Sequence, residues 1–222
     1  QELIDLGATN VAFLFARGEE WNETGSLTLA NDRITIGAYG TGNLPWFNRF
    51  TQKYSTGWSL AAANRYTRAE TNDIAWVRYQ GFDNSKSVTK VLSRQTSSAN
   101  CEATSNSFFW GSNVLHVNLG GTNPNTVSLE SNITSTGEGV LIEGDECVVK
   151  NLRVDGFGQD FANPHTPQAY QIAWKQAGNS VGYGYNCETY YGGTHLHASF
   201  LGAGSGGITL LDRCSAGFGM QG

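Results

Sequence analysis

VAFLFARGEEW, from Val11 to Trp21, opens on an apolar run and closes on charge, the pattern of a short buried strand that leads into a polar turn. In the GSLTLANDRITIGAYGTG that follows, Ser26 to Leu29 and Arg33 to Ile36 alternate between apolar and polar side chains. A period of two puts one face of a strand inside, so two more short strands are expected. Before Val11, ELIDLGA suits the last turn of a helix closed by Gly7. From Leu44 to Ala99 no single period holds; Leu60 to Thr67 suits a helix, and DIAWVRYQGF alternates like a strand. SFFWGSNVLHVNLGGTNPNTVSLE predicts a β-hairpin or meander, with Ser112-Asn113 as its tight turn and Gly120 to Asn125 as a second turn. In GVLIEGDECVVKNLRVDGFG, from Gly139 to Gly158, two aliphatic runs flank EGDE and a Gly-Phe-Gly corner ends the stretch. Gly144, with no side chain, is expected to let the EGDE corner turn sharply.

The last part of the chain repeats itself. VVKNLRVDGFG, YGYNCETYYGG and TLLDRCSAGFG overlay so that Asn151, Asn186 and Arg213 match, each followed by Leu152, Cys187 or Cys214. The matched positions Leu152, Cys187 and Cys214 lie 35 and 27 residues apart. Repeats of this length made only of short strands and turns predict stacked coils, in which neighbours satisfy each other's backbone groups and inward side chains form an apolar column. Leu152, Cys187 and Cys214 are the candidates for one such column.

Composition narrows the function classes. The 222 residues hold 28 Gly, 4 Pro and 1 Met, with 15% charged residues, a balance that favours turn-rich β structure. The net charge of -5 and the lack of any Lys or Arg run leave no basic face for phosphates, so nucleic acid is excluded as an expected partner. No apolar run reaches the ~20 residues of a membrane span. The even number of cysteines, Cys101, Cys147, Cys187 and Cys214, has no CxxC spacing, which leaves disulfides and buried thiols as the two readings. Asn22-Glu-Thr and Asn132-Ile-Thr are glycosylation sequons compatible with an extracellular or cell-surface location.

GVLIEGDECVVKNLRVDGFG and GGITLLDRCSAGFG, with the entry FARGEEW…GSLTLANDRITIGAYGTGN, resemble right-handed parallel β-helix proteins of the pectate-lyase-like superfamily. The resemblance spans residues 8 to 43 and 137 to 222. It implies an all-β chain: a right-handed parallel β-helix, or β-solenoid, with an aromatic-rich insertion and a β-hairpin. The first coils would occupy 1–43, the insertion with its short helix and hairpin 44–136, and the later coils 137–222. Members that cut pectin or alginate present a basic proton abstractor beside carboxylates that hold calcium or uronate. None of the family's usual catalytic motifs occurs here; GGTHLH, from Gly192 to His197, lacks the carboxylates.

The remaining candidates come from residue type and spacing. Lys150, Arg153, Lys175 and Arg213 are basic residues on successive repeats, and Asp155 and Glu188 are carboxylates beside them. Facing outward, they would form a groove with a Lys proton abstractor and a Ca²⁺ site at Asp155 and Glu188; a solvated charged face is the alternative. Asp145 and Glu146, with Glu143, could hold Ca²⁺ at the EGDE corner or simply form an exposed acidic turn. His195 and His197, two apart, share one face of a strand and could ligate a metal together. Trp46, Trp58, Trp76 and Tyr66 could stack on sugar rings or build a small core of their own. Tyr183 and Tyr185 also share a strand face and could bind carbohydrate or form a lateral contact.

Two functions fit these features. One is an extracellular structural or binding protein, of a surface layer, filament, appendage or adhesin, which self-associates through open coil ends and binds polysaccharide. The other is a polysaccharide lyase or glycoside hydrolase acting on acidic polysaccharide, which rests on the resemblance alone.

Overall fold

The computed structural model describes residues 9–22, 26–82, 88–133, 138–157, 172–174, 181–190, 200–202 and 208–217. The chain divides into two compact units, Gln1–Arg49 with Ser135–Gly222, and Phe50–Thr134.

The first unit contains three parallel sheets. Sheet I orders the strands Ala12–Ala16, Thr35–Tyr39, Cys147–Lys150, Val181–Tyr185 and Ile208–Asp212. Sheet II orders Glu20–Asn22, Trp46–Asn48, Arg153–Asp155, Glu188–Tyr190 and Ser215–Gly217. Sheet III orders Leu27–Leu29, Val140–Ile142, Ile172–Trp174 and Phe200–Gly202. Apolar residues from these strands and their corners, among them Leu29, Ile36, Phe47, Val140, Ile142, Val149, Val154 and Ile172, share one core.

Left-handed backbone at fixed places sets the corners. Asn10, Arg33 and Glu146, at φ 57°, 57° and 53°, each precede an inward residue and a sheet I strand. Asn151, Asn186 and Arg213, at φ 56°, 48° and 53°, lie between sheets I and II. The next residues, Leu152, Cys187 and Cys214, all pack into the core. The ladder runs through the corner, with Glu188 N donating to Leu152 O and Ser215 N to Cys187 O, both at 2.9 Å. The amide of Asn186 donates to Asn151 Oδ1 at 2.8 Å, so matched residues of the repeat touch. Because Arg33 takes the left-handed corner, the strand expected at Arg33 to Ile36 begins only at Thr35.

The second unit is built differently. A four-stranded antiparallel sheet orders Val88–Val91, Ile74–Phe82, Leu129–Ile133 and Gln52–Tyr54. A five-stranded mixed sheet orders Ser93–Arg94, Ser107–Gly111, Val114–Asn118, Tyr66–Ala69 and Ser59–Leu60. Ser112 and Asn113, at φ 54° and 61°, form the two-residue turn of the hairpin, as a turn of the primed type requires.

The chain is therefore all-β, and the expected single right-handed β-helix of the pectate-lyase-like kind is corrected. Among the described residues its strands form five separate small sheets, one of them antiparallel and one mixed. A repeat spacing fixes register between neighbouring strands, and residues 50–134 carry hairpin signals that pair strands antiparallel instead. The helix expected at Leu60 to Thr67 is also corrected. Leu60 pairs with Tyr66, Ser59 pairs with Thr67, and Ala61 N and Ala62 N both donate to Arg65 O. Pairing of Tyr66–Ala69 with the hairpin outweighs the helix propensity of the alanines. A helix forms instead at Ser98–Ala103, where Ser97 caps it by accepting from Asn100 N at 3.1 Å. The helix end expected before Gly7 lies outside the described residues.

Candidate functional site

Sheet II turns Phe47 and Val154 into the core, so alternation sends Trp46, Asn48, Arg153 and Asp155 to its other face. Arg153 pairs in register with Trp46 on one side and Glu188 on the other, and Asp155 pairs with Asn48. Arg153 donates from Nε and Nη2 to Asp155 Oδ2, at 2.9 and 2.8 Å. Its guanidinium lies 4.6 Å from the centre of the Trp46 ring, within cation–π range. Asn48 donates to Glu20 Oε1 at 2.5 Å.

Three of the charged candidates, Arg153, Asp155 and Glu188, thus come together on one face, with Trp46 added. Their exposure differs from the solvated groove expected. Arg153 is 1% exposed and Asp155 0%, and the two are paired with each other. Trp46 is buried with them, and Trp58 and Trp76 are buried in the second unit, so none offers the open ring face that sugar stacking needs. Trp58 meets Tyr54 edge to face at 5.8 Å.

Lys150 and Arg213 lie elsewhere. Lys150 is on the outer face of sheet I, and a Cβ built on Gly37 would approach its Cγ and Cε to 3.2 Å, so the stem lies across that glycine. Lys150 pairs with Tyr185, and Val148 with Tyr183, which itself pairs with Leu210. Tyr183 is 41% exposed. Tyr185 is half-buried beneath Arg213, whose Nη1 donates to the phenol oxygen at 3.1 Å. Outer sheet I therefore holds both tyrosine candidates and Lys150 in two neighbouring rows.

At the EGDE corner, Asp145 Oδ1 accepts from Glu146 N and Val181 N, both at 2.8 Å. The carboxylate ties one turn of chain to the next, while Glu143 and Glu146 point to solvent. Among the described residues no group of three or more His, Cys, Asp or Glu is placed to hold a metal ion. Lys175, His195 and His197 lie outside the described residues.

All four cysteines are free thiols in this structure, in place of the disulfide alternative. Burial raises the pKa of Cys101 and Cys147. Of the two sequons, Asn22 is exposed, whereas Asn132 is buried and accepts from Trp76 N at 2.6 Å, which removes it as an acceptor site in the folded chain.

Sequence reasoning missed two clusters in the second unit. The Tyr54 hydroxyl donates to Glu70 Oε2 at 2.7 Å and lies 2.9 Å from Ser131 Oγ, and burial with the neighbouring carboxylate pushes its pKa up. Arg78 meets Glu130 and stacks 4.0 Å above Phe50. Both depend on antiparallel pairings of distant segments, which no local pattern announces.

His116 supplies a pH-dependent contact. Arg65 Nη1 donates to its Nδ1 at 3.0 Å, and burial together with the Arg65 charge lowers its pKa. A depressed imidazole means that the unfolded chain binds the proton more readily. The stability is present above the unfolded value of about 6.5 and is lost as pH falls below it. Unfolding curves of His116→Gln should show a shallower loss of stability between about pH 7 and 5 than wild type; an unchanged slope would refute the assignment.

No family model matches the chain, and no curated protein does. Among solved structures it is similar to a GH136 lacto-N-biosidase from Eubacterium ramulus, with a TM-score of 0.40 and 15% identity over 92% of this chain. The chain spans 28% of that protein.

Proposed function

We propose that this chain is an extracellular or cell-surface binding protein that takes polysaccharide on the outer face of sheet I. The carrying observation is Tyr183, 41% exposed in a row between Val148 and Leu210. An aromatic face flanked by aliphatic side chains suits the C–H face of a pyranose. Lys150 in the next row supplies a cation for a carboxylate or ring oxygen, and Arg213 holds Tyr185 in place beside it. The lyase or hydrolase reading lacks this kind of support, because Arg153 and Asp155 are buried and engaged with each other.

Affinity electrophoresis in gels cast with polygalacturonate, alginate or a neutral glucan tests the proposal. At least one polymer should retard the protein, and Tyr183→Ala should weaken that retardation about tenfold or more without lowering Tm, a loss of about 1.4 kcal/mol or more. Equal retardation of the variant, or none with any polymer, would sink the reading. Release of unsaturated uronates from the gel polymer would turn it into the lyase.

Self-association has an observation of its own. Leu211 is in register with Gly184 and, through it, with the fully buried Val149, yet is 47% exposed. Ile208–Asp212 is an edge strand of sheet I among the described residues, and an exposed inward-row side chain on such a strand favours pairing with another strand. Light scattering on the same samples should then report multimers.

A further inference from the structure

Cys187 and Cys214 occupy the same place in successive repeats. Their neighbours Glu188 and Ser215 pair in parallel register, and Ser215 N donates to Cys187 O at 2.9 Å. Each cysteine follows a left-handed residue, Asn186 at φ 48° and Arg213 at φ 53°, so the two backbones turn alike and both side chains point into one core column. Cys187 Sγ donates to Val149 O and Tyr185 O, each at 3.4 Å, and Cys214 Sγ to Asp212 O at 3.5 Å, backbone contacts that a thiol gives up when it is oxidised. Neighbouring strands stand ~4.8 Å apart, inside the Cα range of ~4.4–6.8 Å that a disulfide spans, though its Cβ atoms prefer ~3.8 Å. The bond can therefore close at the cost of a slight approach of the strands, which makes it the more easily reduced.

We propose that Cys187 and Cys214 are a redox pair, which a low-molecular-weight disulfide of the glutathione type converts to a reversible cross-link between adjacent strands of sheet II. Cys187 is fully buried, whereas Cys214 is partly exposed, so the outer thiol meets the oxidant first. The interaction of the two neighbouring thiols lowers the pKa of Cys214 and raises that of Cys187. The Cys214 thiolate attacks one sulfur of the small disulfide and expels the first small thiol. Cys187 then gives up its proton and attacks the Cys214 sulfur, and the second small thiol leaves. The protein loses two electrons and two protons, and the small disulfide gains them. Cys147 pairs in register with Gly182, and Cys101 lies in the Ser98–Ala103 helix, so neither has a cysteine at the matching place of a neighbouring strand.

The test is peptide mapping by mass spectrometry after the whole chain is exposed to oxidised glutathione and its free thiols are alkylated. A peptide joining Cys187 to Cys214 is expected, with Cys101 and Cys147 alkylated once the chain is unfolded, and dithiothreitol should restore four thiols. Cys187→Ala should stop at a glutathione adduct on Cys214, and Cys214→Ser should give neither product. Four alkylated thiols after oxidation, or a cross-link through Cys101 or Cys147, would overturn the proposal. Wild type alone decides it if a variant fails to fold.

Discussion

Asp155→Ala should destabilise the first unit by about 3–5 kcal/mol, the usual effect of removing one partner of a buried ion pair. The substitution leaves Arg153, 1% exposed, without the acceptor for both its Nε and its Nη2. The Trp46 ring at 4.6 Å returns only part of that, since a desolvated cation–π contact contributes about 2 kcal/mol. The double variant Arg153→Met with Asp155→Val removes both charges and nearly keeps the combined side-chain volume, and it should lie within about 1 kcal/mol of wild type. Urea unfolding of the single and double variants measures both numbers. If Asp155→Ala cost under about 1 kcal/mol, the carboxylate would not be what holds the guanidinium out of water.

The same pair marks how far the sequence was legible. Arg153, Asp155 and Glu188 could be grouped by alternation and by repeat spacing, because parallel register repeats whatever the sequence repeats. Their burial could not. It depends on Trp46, which pairs with Arg153 from a strand far earlier in the chain. The corner residues were legible for the same reason. Asn151, Asn186 and Arg213 matched in the overlay, and all three adopt left-handed backbone. Leu60 to Thr67 shows the opposite case, an alanine-rich stretch whose local preference yields to pairing with Val114–Asn118. The exposure of Tyr183 and the burial of Trp58 and Trp76 likewise depend on which faces are covered, a property that aromatic content does not carry.

Gly144→Ala should destabilise the first unit by about 3 kcal/mol or more. The sequence suggests that Gly144 is there for a sharp turn, but the left-handed residue of this corner is Glu146 at φ 53°. What Gly144 provides is close approach. A Cβ at this position would stand 2.0 Å from Asn31 O, 2.4 Å from Asn31 C and 3.0 Å from Asp32 N, all backbone atoms that no rotamer change can clear. Separating the segments would strain the bonds that join them: Glu143 N and Gly144 N to Leu29 O at 2.8 and 3.0 Å, Arg33 N to Asp145 O at 2.7 Å, and Asp145 N to Asp32 Oδ1 at 2.8 Å. Gly18 is the control, with a left-handed φ of 85° but nothing within 4 Å of an added Cβ. Gly18→Ala should cost only the backbone strain of about 1–2 kcal/mol. Thermal unfolding of the two variants orders them. A Gly18→Ala loss equal to or larger than that of Gly144→Ala would mean that left-handed strain, and not contact between successive turns of chain, sets the cost at the corners of this unit.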